Sequence, residues 1–149
     1  MPSASIKKKI LCSKENLINM VLDIEKYPEF VPWCLNGTIH SKKDKGNTTE
    51  IVADLTIGKS FFKETYKSLV VFDKSLDIIK VTSIKGPLKY LENKWSFEEK
   101  KNLCEVNFLV NFELKNKFLN ILMTKSFDIG LKKIANAFEK RAEELFKSS

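Results

Sequence analysis

The sequence predicts an α+β domain: a curved antiparallel sheet of about six to seven strands wrapped on a long C-terminal helix, with a short helix pair after the first strand. Three observations predict it. Between residues 34 and 115, runs rich in β-branched and aromatic residues alternate with short clusters of turn formers. Such short connectors join antiparallel neighbours, because a parallel crossover needs a dozen residues or more. Beyond Phe118 the apolar period lengthens from two to between three and four, the period of one long helix.

The first strand is expected over Ala4–Cys12, with Ile6, Ile10 and Leu11 as its apolar members. Ser13 offers an N-cap oxygen, and Leu17, Val21 and Ile24 recur at helical spacing, so a helix is expected from Lys14 to Glu25. Pro28 and Pro32 break the next segment into a short helical turn and a loop. Strands are expected over 34–41, 49–58, 60–73, 76–84, 89–98 and 103–115. Gly46, Gly58, Asp73, Gly86 and Asn102 mark the turns between them.

The last strand alternates most clearly. Cys104, Val106, Phe108, Val110, Phe112 and Leu114 share one face, while Glu105, Asn107, Asn111 and Glu113 take the other. The strand before it puts Leu91, Trp95 and Phe97 beside the polar Asn93. In the C-terminal helix, expected over Lys117–Phe146, the inward residues are Phe127, Leu131, Ile134, Phe138, Ala142 and Leu145. That helix would span roughly 40 Å. Gly130 inside it costs about 1 kcal/mol against alanine, and its small size allows a kink or a close approach to the sheet.

Composition narrows the function. The 149 residues suit one domain, with 43% hydrophobic and 30% charged residues, the balance of a folded soluble protein. No stretch approaches the roughly 20 apolar residues that cross a bilayer, and no apolar region follows the basic start, so a cytosolic location is expected. Cys12, Cys34 and Cys104 form no C-x-x-C pair and read as reduced thiols in half-buried strands. The net charge of +7 is almost all lysine, with Arg141 the only arginine. That favours general attraction to acidic surfaces over specific phosphate or base recognition.

Three motifs carry a resemblance. Residues 23–34, Asp-Ile-Glu-Lys-Tyr-Pro-Glu-Phe-Val-Pro-Trp-Cys, resemble the D-[IV]-E-x-Y-P-x-F-[LV]-P-W-C hallmark of the coenzyme Q-binding/ribosome-association-toxin family of START-like, helix-grip domains, also labelled polyketide cyclase-like. Residues 86–97, from Gly86-Pro87 to Trp95-Ser96-Phe97, are similar to that family's G-P-F-x-x-L-x-N-x-W-x-F, with Leu88 in place of the usual phenylalanine. The strand from Cys104 to Leu114 and the helix ending Ala137–Ala142 complete the match, which covers essentially the whole chain. Ser60-Phe61-Phe62 departs from the family's more glycine-containing strand start. Both departures bear on pocket volume.

The resemblance implies a START-like domain that encloses a pocket for a hydrophobic ligand. Alternation then nominates Leu55, Ile57, Phe62, Tyr66, Val70, Leu91, Asn93, Trp95, Phe97, Phe108, Val110 and Phe112 from the sheet. Phe127, Leu131 and Phe138 join them from the helix, and each of the fifteen also reads as ordinary packed core. Tyr27, Pro28, Phe30, Pro32 and Trp33 form a stiff aromatic segment with two readings, a small core plugging one end of the sheet or a pocket mouth and lid.

No catalytic or metal set can be assembled. His40 is the only histidine, without an acid or thiol at ligand spacing, and Asp54 and Glu64 are isolated carboxylates. The expectation is a non-enzyme without a cofactor, binding ubiquinone or a prenylated precursor as its ligand. It would act as carrier or chaperone for respiration and coenzyme Q synthesis, with peripheral contact at the inner membrane. The family's other label implies instead a factor that binds the large ribosomal subunit and blocks subunit association. A polyketide cyclase-like enzyme is the third reading and rests on fold analogy alone.

Overall fold

The computed structural model describes residues 3–59 and 62–146. Its strands are β1 (Ser3–Ile10), β2 (Cys34–Asp44), β3 (Thr48–Lys59), β4 (Phe62–Asp73), β5 (Ile78–Lys85), β6 (Leu88–Lys100) and β7 (Leu103–Leu114). Helix α1 (Lys14–Leu22) and a 3₁₀ segment (Ile24–Glu29) follow β1, and α2 (Lys117–Phe146) ends the chain. All seven strands form one curved antiparallel sheet in the order β1-β7-β6-β5-β4-β3-β2. Strands β2 to β7 are therefore a meander of successive hairpins, and β1 completes the sheet beside β7. The chain must cross from one edge of the sheet to the other after β1, and α1 with the 3₁₀ segment makes that crossing.

Local chemistry sets the element ends. Ser13 caps α1 by accepting the Asn16 N–H at 3.2 Å. Asp73 Oδ1 accepts the N–H groups of Ser75 and Leu76 and so closes the β4–β5 turn. Gly46 and Asn102 take the positive φ values that the hairpins after β2 and β6 require. Strand β4 is described from Phe62, and the expected strand start at residue 60 lies outside the described residues.

Strand ends shift by up to three residues from expectation, as where β1 stops at Ile10 and β2 runs on to Asp44, and one helix boundary also differs. Helix α1 ends at Leu22 and not at Glu25, because Asp23 leaves helical geometry (φ −85°, ψ 65°). Ile24 then turns inward and is buried against β2. At Gly37 of β2, a Cβ would lie 2.5 Å from the Ile24 carbonyl oxygen. The glycine lets the two backbones touch, which fixes the height of the 3₁₀ segment over the sheet.

The core runs along the concave face. Leu17, Ile18, Met20 and Val21 of α1 are buried over one end of it, and Leu131, Ala135, Phe138 and Ala142 of α2 over the middle. The three cysteines are free and buried. Burial pushes the Cys104 thiol up to about 11.

Gly37→Ala is expected to destabilise the fold by roughly 1–3 kcal/mol, since the clash is with backbone and no side chain can yield; a urea-midpoint shift checks this. The raised Cys104 value also gives a signed pH dependence. The neutral thiol's contribution is complete below its unfolded pKa of about 8.5 and is lost as pH rises toward 11. Urea titrations between those limits should show stability falling with pH, and falling less in Cys104→Ala.

Candidate ligand cavity

The helix does not fill the concave face. A cavity of about 400 Å³ remains between α2 and the sheet, within the usual size range of small-molecule sites. Two aromatic contacts bound it along α2. Phe138 meets Trp95 with ring centroids 4.9 Å apart, and Phe127 meets Phe112 at 4.8 Å. Between them α2 presents the smaller Gly130, Leu131 and Ile134.

Most side chains nominated by alternation line this space: Leu55 and Ile57 of β3, Tyr66 and Val70 of β4, Leu91, Asn93 and Trp95 of β6, and Phe108 and Val110 of β7. Phe127, Leu131 and Phe138 face it from α2. Two nominated residues do not. Phe97 stacks on Trp95 (6.4 Å, interplanar 5°), at the end of β6 on which α1 packs. Phe112 meets Phe127 edge-on and is not among the residues that line the space. The Phe62 side chain lies outside the described residues.

The aromatic segment divides between its two readings. Tyr27, Pro32 and Trp33 line the cavity. Phe30 does not: it packs edge-on against Tyr27 (6.0 Å) and Phe138 (5.0 Å) and carries the Arg141 guanidinium over its ring at 5.2 Å. Pro28 is exposed. Arg141 Nη2 also meets Glu29 Oε1 at 2.7 Å and holds the Glu29 carboxyl below its ordinary range. The Tyr27 hydroxyl donates to the Val21 carbonyl. One half of the segment is thus a small core clamped to α2, and the other half forms the cavity wall.

Trp33 has an unusual backbone. Its φ is +64°, a left-handed conformation that a bulky residue adopts only when surroundings impose it, at a cost of order 1–3 kcal/mol. Its carbonyl accepts the Gly58 N–H at 2.9 Å. A Cβ on Gly130 would meet two atoms of the Trp33 indole at 3.5 Å. The glycine in α2 therefore seats the tryptophan ring. Ile129 and Lys133, the exposed members of the lining, place the opening at this same edge.

The polar lining is sparse. Burial pushes the Tyr27, Tyr66 and Cys34 protons to higher pKa, so all three remain neutral donors at physiological pH. Asn93 Oδ1 is buried without a hydrogen-bond partner. His40 does have an acidic partner that sequence spacing did not reveal, Asp54 at 2.9 Å on the neighbouring strand, and neither residue lines the cavity. Glu64 is likewise outside the described lining.

Ser68, Ile79 and Val81, which sequence reasoning missed, also line the cavity; they share a face with Val70, so alternation carried the signal that could have found them. Val21, Ile24, Val31 and Cys34 depend on how the segment after α1 folds back, which no local pattern encodes.

This arrangement, a curved antiparallel sheet gripping a terminal helix around an apolar cavity, defines a helix-grip class of protein. A family model described as polyketide cyclase / dehydrase and lipid transport matches residues 15–139, and the chain belongs to that family. It is 35% identical over 136 residues to a ribosome association toxin of Rickettsia prowazekii (strain Madrid E), covering 89% of this chain and 90% of that protein. It is 34% identical over 134 residues to a mitochondrial coenzyme Q-binding protein of Dictyostelium discoideum, covering 88% of this chain and 64% of that longer one. A START superfamily protein from Mycobacterium smegmatis shares the fold, with a TM-score of 0.81 at 19% identity over 96% of this chain and 98% of that one.

Gly130→Ala should be tolerated or slightly stabilising, because 3.5 Å is ordinary contact and alanine favours the helix. Gly130→Leu should lift the Trp33 ring, read as a shift in tryptophan emission that Gly130→Ala does not produce.

Proposed function

We propose that this protein is a non-enzymatic carrier of a prenylated quinone or a biosynthetic precursor, bound ring-first in the cavity. The observation that carries this reading is the buried Asn93 Oδ1, without a hydrogen-bond partner among the described residues, in a largely apolar space. An unmet buried acceptor costs about 1–3 kcal/mol, and a ligand with a hydroxyl donor on a flat apolar ring, as in the quinol form or a phenolic precursor, would recover it. The Asn93 amide can serve a ring hydroxyl through its oxygen or a ring carbonyl through its nitrogen. Tyr66 supplies a second neutral donor. Trp95 and Phe108, 4.2 Å apart, offer aromatic surface to the ring.

The tail would leave past Trp33 and Ile129. Each isoprene unit inside contributes up to about 3–4 kcal/mol before ordering costs, at about 0.8 kcal/mol per CH₂. The similarity to a coenzyme Q-binding protein supports the ligand class. The raised thiol and phenol protons, with no carboxylate or imidazole in the described lining, support carriage over catalysis. The carrier would work in the cytoplasm and deliver at the inner membrane.

A second reading, binding to the large ribosomal subunit, is favoured by the 35% identity to a ribosome association toxin. It predicts co-sedimentation with the large subunit that falls steeply with salt.

The test is organic extraction of protein purified from a quinone-producing host, followed by mass spectrometry and add-back of quinone. A prenylated quinone near stoichiometric amounts is expected; a clean extract with no binding on add-back overturns the carrier reading and leaves ribosome sedimentation as the next assay. Asn93→Leu should move two measurements in opposite directions. The empty protein becomes more stable, because an unpaired acceptor is removed, while quinone affinity falls about tenfold.

A further inference from the structure

The two ends of the sheet differ in charge. Strand register gathers the start of β2, the β5–β6 turn, the end of β7 and the first turn of α2 at one end. Lys115 N–H donates to the Pro87 carbonyl at 2.9 Å and holds the β5–β6 turn against the β7–α2 junction. Exposed there are Leu35, Ile84, Tyr90, Phe118 and Ile121, with Phe118 and Ile121 at 69% and 58% exposure. Between them stand the exposed lysines Lys63, Lys85, Lys89, Lys115 and Lys117. Only Glu64 and Glu113 oppose them in these segments, and Glu113 lies 3.7 Å from Lys89.

The far end also exposes apolar side chains, Leu11, Leu76 and Leu145. Its lysines, Lys42, Lys43, Lys45, Lys74, Lys100 and Lys101, are however offset by carboxylates such as Asp44, Glu50, Asp73, Asp77, Glu98, Glu99, Glu143 and Glu144. Lys45, Lys74 and Lys100 are ion-paired. The pairing of exposed apolar residues with excess positive charge thus belongs to one end. Ile129, further along α2, connects that end to the cavity rim.

We infer that this end of the molecule is a docking surface for an anionic lipid bilayer. Exposed Phe and Ile side chains beside lysines match both layers of a membrane interface, the acyl boundary and the phosphate headgroups. A nucleic acid would satisfy the lysines but leave Leu35, Ile84, Phe118 and Ile121 in water, and Arg141, the only arginine, is already held by Glu29. Docking in this orientation brings the cavity rim near the lipid, so an apolar ligand crosses little water. The surface does not depend on which ligand the cavity takes.

The test is sedimentation of the full chain with ligand-free vesicles, either pure phosphatidylcholine or phosphatidylcholine mixed with phosphatidylglycerol. Binding is expected only to the mixed vesicles, weakening as salt rises. Phe118→Ser with Ile121→Ser should lower that affinity about tenfold. Lys115→Glu with Lys117→Glu should lower it about fivefold or more per residue. Leu11→Ser with Leu76→Ser, at the far end, should leave it unchanged. Circular dichroism confirms folding, and if the serine pair unfolds the chain, the lysine pair carries the same test.

The inference is overturned by absence of vesicle binding, by equal binding to both vesicle types, or by binding that both altered pairs leave intact. Tight binding to single-stranded RNA without vesicle binding would overturn it in favour of a nucleic-acid face. Because the vesicles contain no quinone, failure here is separate from failure of the carrier reading.

Discussion

The spacing between α2 and the sheet is set by aromatic side chains, and the cavity follows from that spacing. Phe138 on Trp95 and Phe127 on Phe112 act as two props. They lie eleven residues apart on α2, about three helical turns. Between the props the helix offers Gly130, Leu131 and Ile134, which are too short to reach a sheet held off by phenylalanines. Close-packed interiors leave few voids larger than a water, so a space of about 400 Å³ persists only because its walls cannot collapse. The 3₁₀ segment reinforces one prop, since Tyr27 and Phe30 both meet Phe138 edge-on.

The same region concentrates unfavourable features that the rest of the fold must offset. Trp33 sits in left-handed backbone, Gly130 interrupts a long helix, and Asn93 Oδ1 and Arg141 Nε are buried without partners. A fold selected for stability alone would have replaced several of these. Trp33, Gly130 and Asn93 belong to the cavity lining, whereas Arg141 lies beyond it, over Phe30. Gly130 and Trp33 form one unit: the missing side chain on the helix is the seat of the ring.

Much of the architecture was legible in the sequence because its signals are periodic and long. The alternation from Cys104 to Leu114 and the helical period from Phe127 onward extend over several repeats, and α2 spans Lys117–Phe146 as expected. Alternation also identified the concave face. It could not say how far along that face a void would extend, so Phe97 and Phe112 share the face without lining the void, Phe112 as part of a prop and Phe97 stacked on Trp95. The segment from Asp23 to Trp33 resisted reading for another reason. Its course depends on Gly37 admitting the Ile24 carbonyl and on Arg141, 112 residues away from Glu29, clamping its end. Contacts so distant in sequence leave no local pattern. The His40–Asp54 pair escaped for the same reason, being close only across a strand boundary.

Use of charge divides along a similar line. The one arginine, whose planar fork suits fixed geometry, is engaged with Glu29 and Phe30 where the 3₁₀ segment meets α2. The lysines remain on the exterior, where a flexible ammonium provides attraction without a defined partner geometry. If the cavity takes a ligand as proposed, specific recognition would be internal, in the cavity polar groups, and the lysines outside would supply orientation and encounter. The two relatives named for coenzyme Q and for the ribosome point to these two different parts of one fold. Under the proposed carrier reading a quinone would engage the cavity, whereas under the ribosome reading a ribosome would engage the outside, so the two readings call on different residues. On these readings, substitutions of the apolar residues between the props would change ligand binding and substitutions among the lysines would change surface encounter, because the two sets share no residue.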